Sequence, residues 1–173
     1  MKIQLFLLAI GAMSGCATPP PNYTLAEMSD MTTRTYTGKS KAEVFAAAES
    51  VFRSVDKKNM EISVFADELK AIRSRLLLPQ MIFDWRVKVE NLGETTRVFA
   101  SVVTKVDNAE VHSHNGLGVY QLFFDRLDYF LGIRKDLIDC AKAEAAIREK
   151  SRMGNLSALC FLSDDLRAFE SKK

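Results

Sequence analysis

The chain has 173 residues, which suits one globular domain and leaves little room for a second. Lys plus Arg number 24 against 22 for Asp plus Glu, with no basic block or aromatic-basic stripe, so the composition gives no footing for nucleic-acid binding. No nucleophile elbow, His-Glu-x-x-His helix, phosphate-binding loop or dinucleotide fingerprint occurs, so no catalytic motif is present and no cofactor or metal is expected.

Lys2 precedes an apolar run from Ile3 to Ala12, and Met13-Ser14-Gly15-Cys16 follows. A positive start, a short apolar core and small residues at a junction describe an export signal, and the run is too short for a permanent membrane helix. The junction resembles the lipobox of bacterial lipoproteins, with Met13 where Leu is usual. That resemblance implies cleavage after Gly15, diacylation of Cys16 (a palmitate-type modification) and a mature chain of about 158 residues. Ala17 is not the Asp associated with inner-membrane retention in enteric bacteria, which implies the outer membrane, facing the periplasm. Residues 1–15 are thus expected to be a signal peptide and 16–31 a lipidated, Pro-rich tether, because Pro19, Pro20 and Pro21 lack the N–H that helices and central strands need. Residues 32–173 are expected to form one α+β domain.

Within that domain Thr33 to Thr37 suits a short strand. Ser40-Lys41-Ala42-Glu43 fits a capping box, and Val44, Phe45, Ala48, Val51, Phe52 and Val55 follow at helical spacing, predicting a helix from Lys41 to about Val55. Met60, Ile62 and Val64 alternate with Glu61 and Ser63 as a strand, and a turn at Ala66-Asp67-Glu68 leads to a strand over Lys70 to Leu77. Phe83, Trp85, Val87 and Val89 alternate with Asp84, Arg86, Lys88 and Glu90, giving one apolar and one charged face. Asn91-Leu92-Gly93-Glu94 turns this strand into its return, Arg97 to Val106. Asp107 to Gly118 reads as a loop, Val119 to Leu131 as a helix capped by Gly132, and Asp136 to about Lys150 as another, broken at Gly154-Asn155. A last short helix from Ser163 is expected.

Three cysteines are odd for an exported protein until Cys16 is assigned to lipid, which leaves Cys140 and Cys160 as a disulfide pair or, in the competing reading, two reduced structural thiols. His112-Ser113-His114 sets two imidazoles on one side of an extended segment near Asp107 and Glu110, a pattern shared by metal sites and ordinary polar loops. Asp125 and Asp128 read as a solvated helix face. The helix from Val119 to Leu131 is apolar over roughly 220° of its circumference, interrupted by Arg126, and one sheet face needs a narrower stripe. Part of this face therefore needs another cover, either the following helix or a partner. Phe130 lies near the centre of the arc and is expected in the core, with Phe124 toward its edge and more exposed. Trp85, Tyr120, Phe124 and Leu131 are the candidate partner or ligand surface.

The order β-α-β-β-β-β-α-α predicts an α+β fold, an antiparallel sheet of about four to five strands packed on one side by helices. From Ser40 to Leu131 it resembles helix-grip architectures of small envelope lipoprotein domains, at the level of element order only. The expected role is a non-enzymatic envelope protein that binds another envelope component as an accessory or assembly factor. The alternatives are a carrier with an apolar groove for a small ligand or lipid, and an enzyme with an unrecognised site. A carrier should enclose an apolar cavity beside Trp85 and Phe124, whereas an interaction domain should be filled inside and apolar outside.

Overall fold

A computed structural model of the protein describes residues 24–55, 60–75, 81–107, 109–111, 117–149, 156 and 158–160. It begins with a helix where a tether was expected. Helix α1 (Leu25–Thr32) starts at a capping box, in which Thr24 Oγ1 accepts the Glu27 N–H and Glu27 Oε2 accepts the Thr24 N–H. Two amides that helix geometry leaves unbonded are thereby satisfied, and the tether reading of 16–31 fails from Leu25 onward.

Strand β1 (Thr33–Thr37) leads to helix α2 (Lys41–Val55), which opens on the expected Ser40–Glu43 box and buries Val44, Ala47, Ala48, Val51 and Phe52. Strands β2 (Met60–Val64), β3 (Glu68–Arg75), β4 (Met81–Asn91), β5 (Thr95–Val106) and β6 (Ala109–Val111) follow, then helices α3 (Leu117–Phe130) and α4 (Cys140–Glu149). β6 lies inside the expected loop, and its pairing of Glu110 with Lys105 folds that segment back onto β5. α4 begins four residues later than expected. The Asp139 carboxylate, 2.8 Å from the Lys142 amide, caps it, whereas Asp136 lies in the exposed segment before it. The expected helix from Ser163 lies outside the described residues.

The sheet runs β1-β5-β4-β3-β2, antiparallel throughout, with β6 beside β1 on the same edge of β5. Its helix-facing side carries Phe83, Trp85, Val87 and Val89 from β4 and Val98, Ala100 and Val102 from β5, all buried. Ala71, Trp85 and Val102 form one row across three strands. α3 packs on α1 and α2, and α2 packs on β2, β3 and β4, so the architecture is the expected α+β sheet with helices on one side. α3 ends as expected at Gly132 (φ +72°), where the Gly132 N–H reaches the Tyr129 carbonyl and the Ile133 N–H the Asp128 carbonyl.

Among the described residues, β1 pairs with β5 as far as Thr33 opposite Phe99, and β6 as far as Val111 opposite Thr104. Between them the Val102 N–H donates to the Tyr120 hydroxyl, 3.4 Å away, a tie from β5 to α3.

Candidate functional site

The apolar face of α3 was the sequence's strongest pointer to a binding surface, and the structure puts it in the core. Trp85 is fully buried, Phe124 is 1 % exposed, Leu131 is buried and Tyr120 is half-buried. As an exposed partner surface, Trp85, Phe124 and Leu131 are therefore a misreading, and Tyr120 alone of the four stays partly open. The expected order of the two phenylalanines is also reversed, because Phe130 is the half-buried one. The cover for Phe124 comes from elements the helical wheel does not include. α1 packs on α3, and Arg34 of β1 lays its guanidinium 4.9 Å from the Phe124 ring centroid.

Around Trp85 the space is filled by rings. Phe123 stacks on it at 5.5 Å, Phe52 lies 5.6 Å away and Tyr120 meets it edge-on at 6.0 Å. Its indole Nε1, buried, has no hydrogen-bond acceptor among the described residues. Tyr120 carries a hydroxyl whose pKa burial pushes up, partly offset by the Val102 amide.

Two polar clusters decorate α3. Asp128 accepts from Arg34 Nη1 at 2.6 Å and from the Tyr36 hydroxyl at 2.9 Å, tying β1 to the helix. Burial, then the Asp128 charge, pushes the Tyr36 pKa far above its usual range, so Tyr36 remains a donor. Asp125 sits 3.1 Å from Arg134, yet burial raises its carboxyl pKa against the pull of Arg134 and Arg34. The expected solvated face is thus a half-buried clamp. Its carboxylates are held by cations, and the geometry offers bracing between β1, α3 and the following turn without presenting a nucleophile.

Arg126, which breaks the apolar arc, is buried. Its Nε donates to the Ile138 carbonyl at 3.0 Å, Nη1 to the Leu159 carbonyl at 3.3 Å and Nη2 to Cys140 Sγ at 3.3 Å. Burial lowers its pKa and Asp139 pulls it back, but a guanidinium stays charged. Cys140 and Cys160 form a disulfide, with Cα atoms 5.4 Å apart, so the pairing expected from cysteine parity is present.

Among the described residues no three His, Cys, Asp or Glu side chains converge as metal ligands, and His112 and His114 lie outside them. Cys16 also lies outside. No described helix is long and apolar enough to cross a membrane. Large apolar side chains reach water at the end of the sheet where the β2–β3 and β4–β5 turns lie together: Val64, Phe65 and Leu92. Beside them a shallow depression is lined by Lys41, Asp67, Glu68, Lys88 and Glu90, with Lys41 and Asp67 paired across it. No model of a known protein family matches the chain, and no curated protein is detectably similar to it.

Proposed function

We propose that the protein is a non-enzymatic, lipid-anchored envelope protein, held by Cys16 in the outer membrane, whose domain binds another envelope component in an accessory or assembly role. The observation that carries this reading is the aromatic filling around Trp85, set against apolar Val64, Phe65 and Leu92 in water. A filled interior with apolar groups outside suits binding a protein better than carrying a ligand. The disulfide adds support, since such bonds persist in oxidising compartments beyond the cytosol.

The test is crosslinking in intact cells and purification of the full chain from membranes, with one envelope protein expected in near-equal amount. Cys16→Ser is expected to leave the membrane fraction, and its retention there after cleavage at Gly15 removes the anchor from the proposal. A second reading, a carrier of a small ligand, is favoured by the buried indole N–H of Trp85, which has no acceptor among the described residues and suits a ligand that bears one. Organic extraction of the purified protein decides between the two, because about one small molecule per chain supports the carrier and an empty extract the interaction domain.

A further inference from the structure

The two edges of the sheet are finished differently. On one, Arg34 and Tyr36 of β1 are tied to α3, and α1 packs beside them. On the other, β2 runs Met60-Glu61-Ile62-Ser63-Val64 with no Pro, Lys or Arg, and its register against β3 is unbroken by a bulge. Among the described residues nothing pairs with its outer side. Val64 is 51 % exposed and Phe65, just beyond, 60 %. Edge strands that stay single are usually blunted by charge, Pro or a bulge, and β2, whose one charge is Glu61, keeps a regular edge that can template another strand.

We propose that β2 is the seam of a symmetric dimer, in which two copies of this chain join antiparallel about Ile62 into one continuous sheet. The occupant is a second copy because the strand is complementary to itself. Centred on Ile62, the pairing sets Ile62 against Ile62 and Met60 against Val64 on the helix side, covering the exposed Val64 with an apolar partner. On the open side it sets Glu61 against Ser63. Lys70 lies opposite Ser63 within each chain, 3.9 Å from the Asp84 carboxylate, and stands two strands, roughly 10 Å, from Glu61 of the second copy, which sets a positive charge near that carboxylate across a small serine. The two-fold axis repeats this arrangement of charge, and both sets of helices stay on one face. Centring on Glu61 instead puts the two Glu61 side chains against each other, which like charge disfavours.

This seam takes up Val64, part of the apolar patch on which the envelope-partner reading rests, but its test is separate, since it reads the mass of the purified chain alone. In sedimentation of the full chain in detergent, the protein mass is expected to be twice that of one chain. Ser63→Glu, which places Glu opposite Glu61 of the second copy at an exposed position, is expected to halve it with an unchanged circular dichroism melt. Adding Glu61→Ser in the same chain restores opposite residues of compatible charge and is expected to restore the doubled mass. A single-chain mass for the unaltered protein, a doubled mass that survives Ser63→Glu, or a loss that Glu61→Ser does not reverse overturns the proposal. So does an added mass that proves to be a different protein.

Discussion

At the scale of single residues, Phe124 and Phe130 show what a helical wheel leaves out. The wheel orders positions around one axis, but burial is decided by which elements approach that axis, and Arg34 with α1 closes over Phe124. Phe124→Ala is therefore expected to cost about 3–5 kcal/mol as a buried cavity. Phe130→Ala should cost about 1–2 kcal/mol, since that ring is only partly buried against the core, and urea unfolding of the two variants measures the difference. Asp125 gives a pH-dependent counterpart. Its folded pKa is raised, so the folded protein holds that proton more tightly than the unfolded chain, and stability falls as pH rises through the folded value. Asp125→Asn is expected to unfold at higher denaturant than the parent at neutral pH, with the advantage vanishing as both are acidified below the ordinary carboxylate range. Arg126 was visible in the sequence as an interruption, but its partners Ile138, Leu159 and Cys140 are 12, 33 and 14 residues away, beyond any local pattern.

Among the elements, strands with strict alternation were the most legible, because β4 needs a buried and a solvated face and its residues write that period directly. Asp84 is the exception, buried on the open face beside Lys70. The short elements escaped. β6 has only three residues, too few for a period, and exists because β5 offers it an edge. α1 did have a readable signal, Thr24 and Glu27 at capping-box spacing, masked by the prolines just before it. Thr24→Ala is expected to cost about 1 kcal/mol, the usual worth of such a cap. Because α1 packs on α3, that loss should also raise proteolytic cleavage within Leu25–Thr32, and limited digestion checks it.

For the whole molecule, the architecture followed from the sequence because periodicity and turns are local, whereas the candidate surface did not, because exposure is a property of the assembled chain. The disulfide joins those two levels, since parity suggested it and packing at Arg126 holds it. Replacing Cys140 and Cys160 together by Ser is expected to lower stability by about 3 kcal/mol, from the loop of 20 residues it closes, read as a lower melting temperature without reductant. The phenol that ties β5 to α3 makes a further property of the molecule measurable. An amide held by strands alone exchanges its hydrogen when strands part, but the Val102 amide donates to Tyr120 of α3, so its exchange senses the helical layer as well as the sheet. Tyr120→Phe should speed exchange at Val102 while leaving the β4-paired amides of β5 slow. That one proton then registers the loss of a single tie between the two layers.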